Sequence, residues 1–191
     1  MGFAVASAAR AAGHDVTLVA GPVSLHTPAG VRRIDVVSAR DMLAAVEGEE
    51  FDCLVATAAV ADWRPAKVAR TKLKKRAMGG VLRLVRNPDI LKTVASRLHR
   101  AKARKVLVGF AAETGEPTAE AARKCREKGL DLVVANDVTA EGSGFGASTN
   151  RVTFVRSDGG VERLPLMSKR AIARRIVRFA EKLSFPFSCD G

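Results

Sequence analysis

Short apolar runs alternate along the chain with segments in which apolar residues recur every three or four positions. The apolar runs are rich in β-branched residues and predict strands. The segments between them have the period of helices that pack on one face. Repeated alternation of strand and helix favours right-handed crossovers and a parallel sheet. The predicted strands cover residues 14–20, 31–37, 51–56, 81–85, 105–111 and 130–135.

Capping residues mark the predicted helix ends. Small apolar residues from Gly2 to Ala12 have helical spacing, and Gly13 follows where a left-handed C-cap ends a helix. Ser38 is predicted to cap a helix over 39–46, and Asn87 to cap one that runs to about residue 99, with Pro88 in its first turn. A further helix is predicted from 116 to Gly129.

The sequence patterns near the two ends of the chain predict different structures. A helix that leads into a parallel strand normally follows an earlier strand and a Gly-rich turn, so we expect those elements to lie before Met1. Near the other end, Gly159 lies in a turn between the runs 151–155 and 161–164, which predicts a hairpin and an antiparallel edge. The last predicted helix runs from Ser168 to about residue 183, with four apolar residues facing inward. These are Ile172, Ile176, Phe179 and Leu183.

Composition indicates one α/β domain. The chain has 191 residues, of which 47% are hydrophobic, so it can bury a full core. We therefore expect a single domain over residues 1–183. Residues 184–191 lack periodicity, and we expect them to form a disordered tail.

Charge and cysteine content narrow the function classes. The net charge of +12 favours polyanionic partners such as phosphorylated metabolites. The basic residues are dispersed and are not interleaved with aromatic residues that stack on bases, so we expect no nucleic-acid partner. Three cysteines without metal-ligand spacing indicate reduced thiols in a cytoplasmic protein. No apolar run reaches the roughly 18 residues of a membrane span, so we expect no membrane partner.

The stretch 51–91 holds the strongest candidate for a ligand-binding edge. A buried strand ends in small residues and Asp62, and a lysine cluster begins at Lys72. Ligands of open α/β sheets bind outside the carboxyl ends of the strands. Lysines on a loop can reach phosphates as mobile point charges, although a solvated basic loop has the same pattern. Asp62 fits either a ligand contact or a structural turn.

Three later features could contact an anion or a nucleobase. The turn from Asn87 to Ile90 exposes N–H groups at a helix start, which suits an anion but also a plain cap. Lys124 and Lys128 share a helix face, where like charges repel unless an anion joins them or water screens them. Phe110 ends a strand, where it could flank a base or lie in the core. Histidine motifs such as H-E-x-x-H are absent from the sequence.

Seven motifs, in this order, resemble those of the bacterial phosphopantothenate-cysteine ligases, the synthetase part of a bifunctional coenzyme A biosynthesis protein. The resemblance extends from Met1 to about Leu183. The motifs are Ala58-Ala59-Val60-Ala61-Asp62-Trp63-Arg64, Lys72-Leu73-Lys74-Lys75, Asn87-Pro88-Asp89-Ile90-Leu91, Val108-Gly109-Phe110-Ala111-Ala112-Glu113-Thr114, Lys124 to Gly129, Asp131 to Val138 and Thr149-Asn150-Arg151.

This resemblance implies a Rossmann-like, homodimeric enzyme of coenzyme A biosynthesis. Such an enzyme uses CTP and Mg²⁺ to activate 4'-phosphopantothenate as an acyl-cytidylate, which L-cysteine then attacks. The resemblance also implies a phosphopantothenoylcysteine decarboxylase, fused or associated. Family members carry a strand and an Asn-x-Ser-Ser-Gly-Lys-type loop just before the Met-Gly-Phe that opens this sequence. A non-catalytic nucleotide-binding or assembly module is therefore the alternative.

The resemblance also implies particular site residues. Lys72 would be catalytic, and no metal ligands are assigned. Ala58, Ala59 and Asp62 would border 4'-phosphopantothenate. The residues implied for CTP are Asp62, Lys72, Pro88, Asp89, Ile90, Leu91, Phe110, Lys124 and Lys128.

Overall fold

The computed structural model describes residues 1–72, 74, 80–113, 116–137 and 147–184. Its helices are α1 (Gly2–Ala11), α2 (Ala39–Glu47), α3 (Ile90–Arg100), α4 (Thr118–Lys128) and α5 (Lys169–Ser184). Its strands are β1 (Thr17–Ala20), β2 (Arg32–Asp35), β3 (Cys53–Ala56), β4 (Trp63–Pro65), β5 (Leu84–Arg86), β6 (Val106–Glu113), β7 (Leu132–Asp137), β8 (Thr149–Asn150), β9 (Val152–Arg156), β10 (Val161–Arg163) and β11 (Met167–Ser168).

The largest sheet has five strands in the order β10-β9-β7-β6-β3. Strands β3, β6 and β7 are parallel, and β9 and β10 add the antiparallel edge that the hairpin signal predicts. In the register of β3 with β6, Ala56 lies opposite Gly109. The predicted α/β class with a mostly parallel, Rossmann-like sheet is therefore confirmed.

Helices cover both faces of this sheet because each face carries its own apolar cluster. On one face, Ile172 and Ile176 of α5 pack with α1 against Leu132 and Phe154. On the other face, Val94 of α3 packs with α4 against β6 and β7. Burying both faces is typical of parallel sheets.

The first two strands differ from the expectation that they extend the main sheet. β1 and β2 form a separate two-stranded parallel sheet, with Thr17 opposite Arg32. Within the described ranges, β1 pairs only with β2, and β3 pairs only with β6. A cavity lies between β1 and β3, so the two sheets do not join there.

The strands predicted from sequence leave a gap between residues 56 and 81, but β4 lies within that gap. β4 pairs antiparallel with β5, and the predicted strand at 81–85 begins only at Leu84. The Arg64 guanidinium donates to the Arg86 carbonyl at 2.5 Å and to Asn87 Oδ1 at 3.0 Å. A three-residue strand held by such contacts is too short to show a period in sequence.

The predicted N-cap of α2 is confirmed, but the predicted N-cap of α3 is wrong. Ser38 caps α2 through a reciprocal pair of bonds with Asp41, as predicted. Helix α3, however, is capped by Asp89 and not by Asn87. The side-chain amide of Asn87 instead donates a hydrogen bond to the Ala61 carbonyl at 2.8 Å and accepts one from Arg64.

The last helix begins where predicted and has one unexpected residue. The Ser168 hydroxyl accepts from the Ala171 N–H at 3.2 Å, and Ile172 and Ile176 are fully buried. Phe179 is partly buried, but Leu183 is 39% exposed, so the predicted inward position of Leu183 was wrong.

Residues 185–191 of the predicted tail lie outside the described residues. Among the described helices, none combines the length and apolarity needed to cross a membrane.

Candidate functional site

A cavity of about 750 Å³ opens at the carboxyl end of β3, beside β6. Its walls at this edge come from the segment 57–62 after β3, the turn before α3, Phe110 of β6 and one face of α4. These are separate segments of the chain that the sheet brings together. The cavity then continues under α1 toward β1.

The loop after β3 is fixed beside the start of α3. The Asn87 N–H donates to the Asp62 carbonyl at 2.7 Å, and the Asn87 side chain holds the Ala61 carbonyl. Ala58, Ala59 and Asp62 are exposed to the cavity. Their small or short side chains leave space for a ligand, and the Asp62 carboxylate can accept hydrogen bonds from it.

The start of α3 is organised by Asp89. One carboxylate oxygen accepts from the Lys92 N–H at 3.0 Å, and the other lies 2.8 Å from Lys128 Nζ. Burial opposes ionisation of this carboxyl, but hydrogen bonds from Lys128 and Lys92, with their positive charges, lower its pKa overall. The first N–H groups of a helix have no intrahelical partner, so those of Ile90 and Leu91 are available to an anion or a base edge.

Phe110 of β6 lines the cavity and also packs against the apolar cluster of α1 and α5. The residue before it is Gly109, and a Cβ placed there would lie 2.8 Å from Leu130 Cδ1 and 3.1 Å from Leu91 Cδ1. Glycine is therefore needed for these leucines to pack against the strand. Phe110 itself is half-buried, so part of its side chain is exposed at the cavity.

Lys124 and Lys128 reach the cavity from the same face of α4. Lys124 Nζ lies 3.7 Å from Glu120 Oε1, and Lys128 pairs with Asp89. These acids offset the repulsion expected between cations four residues apart. The lysine side chains are 28% and 29% exposed, so both cations can also meet an anion in the cavity.

The structure brings together all but one of the implied site residues. Lys72 is exposed and does not line this cavity, so its catalytic role stays a prediction. Lys75 of the same cluster lies outside the described residues. The implied residues that line the cavity are Ala58, Ala59, Asp62, Pro88, Asp89, Ile90, Leu91, Phe110, Lys124 and Lys128.

Sequence reasoning missed the contribution of the first helix. Gly2, Val5 and Ala6 of α1 line the cavity, as does Thr57 directly after β3. A Cβ on Gly2 would lie 2.7 Å from Thr57 Oγ1, so the start of α1 lies against the end of β3. The small residues of α1 indicate close packing, but the sequence does not show that α1 packs against the end of β3.

A magnesium site built from protein ligands alone does not fit this edge. No group of three or more His, Cys, Asp or Glu side chains suited to a metal occurs among the described residues. Asp89 is already paired with Lys128. Mg²⁺ is commonly held by one or two carboxylates, water and substrate phosphates, which differs from a cage of protein ligands.

Comparison with known proteins gives one family and several close relatives. The model of the "DNA/pantothenate metabolism flavoprotein C-terminal domain" family matches residues 1–183. The chain is 44% identical over 187 residues to the coenzyme A biosynthesis bifunctional protein CoaBC of Vibrio vulnificus strain CMCP6, covering 96% of the chain and 46% of that protein. For the Bacillus subtilis strain 168 protein of the same name, identity is 45% over 187 residues, covering 96% and 45%.

A solved structure agrees with these relatives. It is described as the C-terminal domain of the coenzyme A biosynthesis bifunctional protein CoaBC, with a TM-score of 0.76 and 40% sequence identity. The match covers 94% of this chain and 80% of the solved one. The chain spans a little under half the length of the curated relatives it matches.

The pair between Asp89 and Lys128 can be tested by replacing its cation. In Lys128→Met, the pKa of the Asp89 carboxyl should rise, because a hydrogen bond and a positive charge are removed while burial remains. The stabilisation by ionised Asp89 is complete above its unfolded pKa of about 4 and disappears as pH falls through the lower folded pKa. Parent and variant should therefore differ in Tm at pH 6 and converge as the pH falls below the folded pKa of Asp89.

NMR titration of the Asp89 carboxyl gives the pKa directly. Lys124→Met is the matched control, since Lys124 lines the same cavity and lies beside Glu120. An Asp89 pKa that is unchanged in Lys128→Met would show that the pair does not form in solution.

Proposed function

Because the chain belongs to the DNA/pantothenate metabolism flavoprotein C-terminal domain family, we propose that it ligates 4'-phosphopantothenate to L-cysteine at the expense of CTP, in coenzyme A biosynthesis. One observation carries this proposal: ten residues implied by the ligase motifs line one cavity, although they come from four separate segments of the chain. The names of the relatives, which refer to coenzyme A biosynthesis, support the same pathway.

The proposed reaction has two steps. A carboxylate oxygen of 4'-phosphopantothenate attacks the α-phosphorus of CTP, and the bond to the β-phosphate oxygen breaks, which releases pyrophosphate. The cysteine amine then attacks the acyl carbon, loses a proton and displaces CMP, so that an amide forms. Holding the carboxylate and the nucleotide in one cavity lowers the entropic part of the barrier.

The nucleotide is proposed to lie between α3 and α4. Phe110 stacks on the cytosine, and Asp62 accepts hydrogen bonds from the cytidine end. Pro88 and Asp89 shape the turn that presents the N–H groups of Ile90 and Leu91. Lys124 and Lys128 either neutralise the negative charge of the phosphates or contact the base. Preorganised cations stabilise developing negative charge in active sites in this way.

The acid substrate is proposed to lie beside the end of β3. Ala58 and Ala59 have side chains small enough for a pantothenate chain to approach the backbone. Asp62 lies at the boundary between the two ligands, so it can contact either. This position places the reacting carboxylate next to the nucleotide.

Lys72 and magnesium are proposed to act on the triphosphate. Lys72 lies on an exposed segment outside the cavity wall, and a long lysine side chain can act on phosphates as a mobile point charge. Mg²⁺ is proposed to arrive with CTP, held chiefly by phosphate oxygens and water. Bound Mg²⁺ would neutralise part of the negative charge of the phosphates.

We also propose a homodimer and a decarboxylase partner. The ribbon of β4 and β5 exposes apolar side chains, with Trp63 at 49% and Leu84 at 47%, which suits a contact with a second copy. The relatives are named as bifunctional proteins about twice the length of this chain. A phosphopantothenoylcysteine decarboxylase is the partner proposed for the second activity.

Nucleotide preference tests the proposed function. CTP with Mg²⁺ should raise the Tm more than ATP with Mg²⁺, because the hydrogen bonds proposed for Asp62 depend on the shape and edge of the base. At about 100 times the Kd, a ligand adds about 2.7 kcal/mol, or roughly 5–10 °C for a chain of this size. Arg175→Gln, which alters only a surface pair with Glu162, should keep the preference. Equal shifts for CTP and ATP would contradict the proposal.

Lys72→Gln tests the proposed catalytic lysine. Loss of a cation that stabilises transition-state charge should lower the rate of pyrophosphate release by roughly 10²–10³-fold while leaving Tm unchanged. The assay contains CTP, 4'-phosphopantothenate and L-cysteine. Lys74→Gln, two residues away and also exposed, is the matched control. A rate in Lys72→Gln equal to that of the Lys74 control would remove Lys72 from the mechanism.

A further inference from the structure

Arg64 connects the ribbon of β4 and β5 to the turn that leads into α3. It is half-buried at the centre of β4, where it lies opposite Val85 of β5. Its Nη1 donates to the Arg86 carbonyl at 2.5 Å and to Asn87 Oδ1 at 3.0 Å. One guanidinium nitrogen thus holds the last residue of β5 and the residue that follows it.

Asn87 in turn holds two consecutive carbonyls of the loop after β3. Its N–H donates to the Asp62 carbonyl at 2.7 Å, and its Nδ2 donates to the Ala61 carbonyl at 2.8 Å. The next residue is Pro88, and a residue before proline is restricted to extended conformations. Asn87 therefore has little freedom to present these two donors in another direction.

Arg64 determines which end of the Asn87 amide faces the loop. The oxygen and the NH₂ group of an amide have nearly the same shape, so hydrogen-bond partners decide their placement. Because a guanidinium only donates, it selects Oδ1 and directs the NH₂ group to the Ala61 carbonyl. Without Arg64, a rotation of about 180° would bring two acceptors together at Ala61.

The position of Asp62 depends on these contacts. Asp62 belongs to the segment 57–62 of the cavity wall, and its own carbonyl and that of Ala61 are the two groups held by Asn87. Fixing both carbonyls fixes the backbone from which the Asp62 side chain projects. Misplacing a ligand contact by about 1 Å can cost orders of magnitude in rate, so this support matters for recognition.

We propose that Arg64 is the positioning residue for Asp62, and that it sets the base selectivity of the cavity through Asn87. Arg64 does not line the cavity, so it acts without contact to the nucleotide. The claim about base selectivity rests on the proposed function, in which Asp62 accepts hydrogen bonds from the cytidine end. The claim about the position of Asp62 rests on the hydrogen bonds alone.

Amide hydrogen exchange of the protein without nucleotide tests the positioning role. Arg64→Met removes the donors and keeps a side chain of similar length, so exchange at the Asn87 amide should accelerate by about tenfold or more. Arg64→Lys keeps a cationic donor that can reach one of the two acceptors, and it should restore part of the protection. Exchange at Asn87 that is equal in Arg64→Met and the parent would overturn the inference.

Two controls separate this role from general support of the ribbon. Arg83→Met makes the same substitution at an exposed residue of the same ribbon, and it should leave exchange at Asn87 unchanged. The Ala66 amide, which donates to the Arg83 carbonyl at 2.9 Å, reports whether the ribbon stays paired. Equal loss of protection at Ala66 and Asn87 in Arg64→Met would show that Arg64 holds the whole ribbon, which contradicts a specific role in placing Asp62.

A double-mutant cycle tests whether Arg64 acts through Asp62. The ratio of the Kd values for ATP and CTP, each with Mg²⁺, should fall roughly tenfold in Arg64→Met and in Asp62→Ala, as expected for the loss of a hydrogen bond to a charged group. Residues that act through one contact are not additive, so the double variant should be no less selective than either single variant. Arg64→Lys should regain part of the selectivity. Additive losses in the double variant would overturn the inference.

The parent protein separates the role of Arg64 from the proposed function. Equal binding of CTP and ATP by the parent would contradict the proposed function and the claim about base selectivity together. The exchange at Asn87 would still decide whether Arg64 places Asp62. A clear preference for CTP in the parent that persists in Arg64→Met would overturn the role of Arg64 alone.

Discussion

Parallel pairing between β3 and β6 is the interaction on which the candidate site depends. With Ala56 opposite Gly109, β3 ends beside the middle of β6, so the loop that carries Asp62 leaves the sheet next to Phe110. Slipping the register by one residue would turn every side chain of β3 to the opposite face. The two apolar clusters, one on each face, make such a slip costly.

Hydrogen bonds by two polar side chains then set the finer geometry. Asn87 holds the loop after β3, and Asp89 caps α3 while pairing with Lys128 of α4. One turn thus connects three segments that are distant in sequence. Because the Asp89 carboxylate uses both oxygens in these contacts, its ionised form is favoured and the turn is fixed before any ligand binds.

Much of the fold follows from local sequence, and the exceptions have physical causes. Ser38 and Gly129 were recognised as helix ends because capping and left-handed geometry depend on a few adjacent residues. Strand β4 was not recognised, because a three-residue strand has no readable period. Asn87 was assigned the cap that Asp89 makes, since either residue could cap α3 until the distant contacts to Ala61 and Arg64 were known.

The candidate site itself was anticipated from motifs whose members lie far apart in sequence, and most of them share one cavity. Lys72 is exposed and does not line that cavity. The central claim is that the edge formed by β3, α3, β6 and α4 binds CTP. Amide NMR of the protein titrated with CTP and Mg²⁺ tests it most directly. The account predicts concerted shifts at Asp62, Ile90, Leu91, Phe110 and Lys128, whereas shifts confined to the outer face of α5 would contradict it.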